Sequence, residues 1–354
     1  MRLVRIENVT SGMILGKDIS SCEGKILLAK GVTLTNHFIK RLQHLAMGEI
    51  YIEDEISKDI EIFDIIEEKT RIIAKKTIYQ VMQDLKVKKA LDFQSIQVAI
   101  NRIVDELLDN RDIMVNLSDL RCVDEYTFAH SVNVAVLSIV IGKALGYHEL
   151  RLRDLGIAAI LHDIGKTQIP NEILNKPGKL LEEEIEIMKN HTRFGYEILK
   201  DYDEISALSR VGALLHHERI DGSGYPFGKR GEEISEFARI IAIADTYDAM
   251  TSNRVYKKRI TPDKAIEYLI AMAHHHYDYD IVKIFLNHLT VYPIGTMVKL
   301  NTKEHAIVID NNRYMPTRPI VRMVRDAHGN SISQFEEIDL QKRLNICIEE
   351  IVDE

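Results

Sequence analysis

Residues 240–245 read Ile-Ile-Ala-Ile-Ala-Asp. An apolar run of this kind belongs in a core, and Asp245 follows Ile241 by one helical turn, so its carboxylate is carried inward with it. Burying an isolated carboxylate costs several kcal/mol, roughly, unless a partner neutralises it. No Lys or Arg lies near Asp245 on its own helical face. Asp163 poses the same problem: His162 and Asp163 follow the apolar run Ile157–Leu161, with Gly165 expected to end that helix. His130 shares a face with Val134, Leu137 and Ile141, His191 shares one with Met188, Gly195 and Ile198, and His216 and His217 close the run Val211–Leu215. A lone histidine on an apolar face is ordinarily a hydrogen-bonded core residue. Five histidines and two acids turned inward together are harder to satisfy that way. A metal cation solves both problems, because it neutralises the acids and takes neutral imidazoles as ligands.

The ligand count also speaks. Five imidazoles and two carboxylates are too many for one tetrahedral ion. They suit two divalent ions with a bridging carboxylate. Two ions about 3.5–4 Å apart clamp an in-line displacement at phosphorus, with no Ser or Cys nucleophile required. His/carboxylate donors accept iron or manganese, the metals expected here. His274-His275-His276 reads as a solvated helix end, since adjacent helical residues point in different directions.

The rest of the 354-residue chain sets the frame. Its net charge of −8 argues against a nucleic acid polymer or an anionic membrane as partner. Three scattered cysteines, Cys22, Cys122 and Cys347, make neither a disulfide framework nor a thiolate zinc site. The N-terminus lacks a signal-peptide core, and the stretch Val132–Ile141 is too short to span a bilayer. A cytoplasmic protein is expected.

Residues 1–57 read as a small α+β module. Short strands are expected at Met13–Leu15, Lys25–Leu28 and Ile50–Ile52, with a helix opening after Thr35-Asn36. Residues 58–114 are a charged helical linker with an apolar stripe from Ile62 to Leu85, packed on its own domain or serving as a homodimer helix. Residues 115–290 are almost wholly helical in pattern and carry all the chemistry. Residues 291–354 read as a small β module, with strands at Met297–Leu300, Ala306–Ile309 and Ile320–Met323. The fold class is therefore mainly α, with β-containing modules at both ends.

Two motifs add a resemblance. Leu161-His162-Asp163-Ile164-Gly165-Lys166 resembles the HD phosphohydrolase superfamily, and His216-His217-Glu218-Arg219-Ile220-Asp221-Gly222-Ser223-Gly224-Tyr225-Pro226 resembles its HD-GYP subfamily. The resemblance covers residues of about 115–290. It implies an all-helical core that hydrolyses the bacterial second messenger cyclic di-GMP to the linear dinucleotide or GMP, by a hydroxide bridging two metals. It implies that His130, His162, Asp163, His191, His216, His217 and Asp245 bind metal, with Asp163 bridging. It implies that Lys166 contacts the scissile phosphate, that Arg254 and Lys257 hold the substrate phosphates, and that Tyr225 borders the pocket. One departure stands out: Tyr126 occupies the place where some family members carry a glutamate that ligates a third metal. Rival readings are a phosphohydrolase of another cyclic dinucleotide or nucleotide, a catalytically silent effector that binds the messenger, and a structural helical scaffold. The scaffold leaves Asp163 and Asp245 without partners.

Overall fold

The computed structural model describes the chain except residues 22–24, 46, 63, 111–125, 253–259, 313–314, 333 and 353–354, and the side chains of 126 and 127. It divides into two compact units. One comprises residues 66–113 and 126–288, and the other brings together residues 1–65 and 289–354.

The first unit is helical: α2 (Glu68–Lys86), α3 (Phe93–Asp109), α4 (Tyr126–Ala144), α5 (Glu149–Ile160), α6 (Asn171–Leu174), α7 (Glu182–Lys189), α8 (His191–Leu199), α9 (Ala207–Leu215), α10 (Glu236–Thr251), α11 (Pro262–Met272) and α12 (Tyr279–Leu286), following α1 (Asn36–His44) of the other unit. Helix α4 is its axis. Every residue from Phe128 to Gly142 is buried, and α2, α3, α5, α10 and α12 all pack against it. Its Val and Ile residues are poor helix formers in isolation. Burial on all sides overrides that preference, at about 1.5–3 kcal/mol for each fully buried aliphatic side chain. Among the described residues no helix is long and apolar enough to cross a membrane.

Two expectations about this region change. Helix α2 begins at Glu68, so Ile62, Ile65 and Ile66 precede it, and its buried face carries Arg71 and Lys75 beside Ala74, Ile78, Val81, Met82 and Leu85. Gly165 does not end a helix. Helix α5 already stops at Ile160, His162 and Asp163 lie in a turn, and a 3-10 helix runs over Ile164–Gln168. The reason for a glycine there is contact. A Cβ on Gly165 would sit 1.9 Å from the His191 carbonyl oxygen and 2.4 Å from the Gly195 nitrogen.

The second unit is built on antiparallel sheets. In its N-terminal part, β1 (Arg2–Arg5) and β2 (Ile14–Leu15) flank β5 (Glu49–Glu53), while β3 (Ile19–Ser20) pairs with β4 (Ile26–Leu28). Helix α1 is capped by Thr35, whose side chain accepts from the Phe38 amide. In the C-terminal part, β6 (Met297–Leu300), β7 (His305–Asp310), β8 (Ile320–Arg325), β9 (Glu337–Asp339) and β10 (Ile348–Ile351) form one sheet in the order β10-β6-β7-β8-β9. The two parts share a core of Ile60, Met297, Ile307 and Val324. The Leu3 amide donates to the Gly295 carbonyl at 2.9 Å. Arg322 donates to both Asp59 oxygens, at 2.6 and 2.7 Å, and to Glu337 at 2.7 Å.

Candidate metal centre

Seven side chains from five segments converge inside the helical unit. His130 comes from α4, His162 and Asp163 from the turn after α5, His191 from the start of α8, His216 and His217 from the end of α9, and Asp245 from α10. Their ligand atoms fall into two groups, each drawn together within 4.8 Å: Asp163, His191, His216 and His217 in one, His130, His162 and Asp245 in the other. Asp163 lies against both. Its Oδ2 is 3.3 Å from His162 Nε2 and 3.9 Å from His130 Nε2, and its Oδ1 is 3.4 Å from His191 Nε2.

The imidazoles are held from behind. His162 Nδ1 meets the Ala159 carbonyl at 2.7 Å, His191 Nδ1 the Met188 carbonyl at 2.8 Å, and His216 Nδ1 the Ala213 carbonyl at 2.7 Å. His130 Nδ1 is 2.7 Å from Asp248 Oδ2. Each such contact fixes the tautomer and aims Nε2 into the centre, as the outer partners of metal-bound histidines do. The Nε2 atoms of His191 and His216 face each other at 3.4 Å.

This donor set fits a metal. His162 Nε2 and Asp163 Oδ1 are fully buried without a hydrogen-bond partner, although neighbouring nitrogens approach them at 3.3–3.4 Å. Buried polar atoms rarely stay unpaired, and a metal ion is a partner that these converging atoms could share. Charge agrees. Burial pushes the His217 pKa down to about 3, and burial and the neighbouring imidazoles push His216 well below its ordinary value, so both rings are neutral donors at pH 7. Burial alone would raise the Asp163 and Asp245 carboxyls. Lys166 and nearby imidazoles outweigh it at Asp163, as the His130 hydrogen bond does at Asp245, and both are held well below the carboxylate range. His130 is the exception: burial opposes its charge, but Asp245 and Asp248 prevail and hold its pKa at about 9, so an ion bound there would have to displace a proton from its ring.

Lys166 Nζ donates to Asp163 Oδ2 at 2.5 Å. The Tyr225 ring stacks on His217, with centroids 4.7 Å apart, and its amide donates to the His217 carbonyl at 3.1 Å. Arg254 and Lys257 lie outside the described residues, as does the Tyr126 side chain. The His274–His276 segment sits just past the end of α11, with His274 and His275 exposed as expected. Helix α11 stops at Met272, and the His275 and His276 carbonyls accept from Asp221 and Ile220, tying down the loop after His217.

Two buried acids escaped sequence reasoning. Asp248, 1% exposed, takes His130 on one oxygen and Asn133 and Ser252 on the other. Its signal was the i, i+3 spacing from Asp245, which puts both on one face. Glu218, 3% exposed, accepts from the Phe227 amide at 2.7 Å and the Lys229 amide at 3.0 Å, clamping the loop that carries Tyr225. Gly224 is confined there: a Cβ would meet the Arg219 nitrogen at 2.4 Å.

With this geometry described, comparison with known proteins is informative. In class the helical unit has an HD-domain phosphohydrolase fold. A solved HDG"Y"P protein from Bdellovibrio bacteriovorus superposes with a TM-score of 0.51 at 16% identity, covering 80% of this chain and 97% of that one. Residues 107–281 match the HD domain family, and residues 297–354 match the KOW domain associated with HD domain. A cyclic di-GMP phosphodiesterase of Pseudomonas aeruginosa is 34% identical over 75% of this chain and 64% of its own length. A cyclic di-GMP phosphodiesterase of Thermotoga maritima is 38% identical over 58% of this chain and 55% of its own. A 3'3'-cGAMP-specific phosphodiesterase of Vibrio cholerae is 31% identical over 68% of this chain and 46% of its own. The chain thus spans less than two thirds of the length of these relatives.

Proposed function

We propose that this chain is a metal-dependent phosphodiesterase that hydrolyses cyclic di-GMP to the linear dinucleotide in the cytoplasm. The observation that carries the reading is the buried convergence of five imidazoles and two carboxylates, with His162 Nε2 and Asp163 Oδ1 unpaired at its middle. His191, His216 and His217 would hold one divalent ion and His130, His162 and Asp245 a second, with Asp163 shared. Iron or manganese suits these donors. Such ions supply positive charge at phosphorus and turn water into a nucleophile at neutral pH.

The protein's own groups divide the remaining work. Lys166, beside Asp163, holds the phosphoryl oxygen on which charge grows. Tyr225, kept neutral because burial raises its pKa, borders the substrate from its seat on His217. Arg254 and Lys257 take the substrate phosphates. Asp248 and Asn133 are positioning residues that fix the His130 ring. The names of the relatives support cyclic dinucleotides as the substrate class, and the 3'3'-cGAMP-specific one makes the mixed dinucleotide the second reading. Chromatography of products after incubating metal-loaded protein with cyclic di-GMP and with 3'3'-cGAMP tests the proposal. Linear diguanylate from the first is expected. Consumption of 3'3'-cGAMP alone would shift the assignment to the mixed dinucleotide, and no turnover of either would end it.

A further inference from the structure

Beside the centre stands a pair of residues that the reaction above leaves unused. Among the described residues the phenylalanines exposed to solvent are Phe194, Phe227 and Phe335. One of them, Phe227, lies under the Arg193 guanidinium, 5.3 Å from it, and another, Phe194, is the sequence neighbour of Arg193. Arg193 also reaches the Pro226 carbonyl at 3.4 Å. Two residues before His191, Lys189 stands over the Tyr225 ring at 5.7 Å while pairing with Glu186. Cations therefore bracket the metal-centre histidine, and each faces an aromatic ring of the loop that begins at His217.

An exposed cation–aromatic pair is by itself ordinary surface. This one differs in how it is mounted. The Phe227 backbone is pinned through its amide to buried Glu218, and the same loop is fixed to His217 through Tyr225. The ring is thus carried at a set distance from the metal-centre histidines, yet it remains 54% exposed. Aromatic faces and Arg planes stack nucleobases, and Arg reads the guanine edge with two donors. We infer that Arg193 and Phe227, backed by Lys189, form the subsite for a purine base of the cyclic dinucleotide. The inference rests on the phosphodiesterase reading, since it assigns a specificity role beside that same site.

The test compares two substrates on metal-loaded full-length protein. Bis(p-nitrophenyl) phosphate is a phosphodiester without bases, and cyclic di-GMP carries two. For Phe227→Ala and Arg193→Ala, the ratio of kcat/KM for cyclic di-GMP to that for the small diester falls about tenfold or more, mainly through KM for the dinucleotide. Phe227→Tyr, which keeps the ring, restores the ratio. An unchanged ratio, or a parallel loss on both substrates, overturns the subsite while leaving the phosphodiesterase reading intact. Should the wild type bind cyclic di-GMP without cleaving it, Kd by calorimetry replaces KM. A tenfold weaker Kd in Phe227→Ala then upholds the subsite although the catalytic reading has failed. A wild type that neither binds nor cleaves cyclic di-GMP overturns both.

Discussion

At Asp163 one buried carboxylate is shared by a lysine and three histidines. Lys166 makes the shortest contact, 2.5 Å to Oδ2, and its side chain remains 27% exposed. A flexible cation at the edge of a buried centre can follow charge onto a bound phosphate. Lys166→Ala is therefore expected to lower kcat about 100-fold with a smaller change in KM, since the charge it meets develops in the transition state. Steady-state kinetics decide the point, and a pure KM effect contradicts the role. These residues were legible in the sequence for a physical reason. Acids and histidines on apolar helical faces have few ways to be satisfied, so the seven converging residues could be named from Asp163 and Asp245 outward. Asp248 was not named because its partner, His130, lies 118 positions away and no periodicity reports that pairing.

At the scale of elements, the centre depends on how closely the 3-10 helix Ile164–Gln168 lies on α8. Gly165 is the contact point. With the His191 carbonyl 1.9 Å from a would-be Cβ, backbone must move, and no flexible side chain can yield instead. Gly165→Ala is expected to displace His191 from Asp163, lower the melting temperature by several degrees and reduce metal content together. Parallel thermal melts and elemental analysis check this, and a normally stable, fully metallated variant would refute the packing argument. The sequence placed a glycine here and misread its purpose. A glycine that ends a helix and one that admits a neighbouring backbone look alike until the neighbour is known. The helices themselves were legible from their apolar spacing, as was the helix start near Thr35-Asn36. Strand β1 was missed, since its partner β5 begins only at Glu49 and the pairing leaves no local turn signal.

At the scale of the molecule, the first and last stretches of the chain make one unit. Sequence reading saw two separate small modules because their bond is long-range: Asp59 and Arg322 are 263 residues apart. Arg322 holds the Asp59 carboxyl down at about 2, from an ordinary 3.8. A carboxyl depressed on folding adds stability above its unfolded pKa and loses it as pH falls toward the folded value. Asp59→Asn should therefore destabilise this unit at pH 7 by a modest ~0.2–1 kcal/mol, because the Asp59 side chain is 66% exposed and screened by solvent. The gap between wild type and variant narrows below about pH 4. Hydrogen exchange of the β7 and β8 amides, followed against pH, reports it. A gap that stays constant from pH 7 to 3 would contradict the assignment.

The central claim is that the seven converging side chains hold metal around Asp163. Two ions are expected, not three, since Tyr126 stands where some members of the resembled family carry a third-metal glutamate, and a neutral phenol is a weak ligand. Elemental analysis of freshly purified protein, with anomalous diffraction from its crystals, counts and places the ions directly. The account predicts two anomalous peaks flanking the Asp163 carboxylate, one among His191, His216 and His217 and one among His130, His162 and Asp245, with metal content falling in Asp163→Asn. No bound transition metal, or well-occupied peaks away from Asp163, would contradict it.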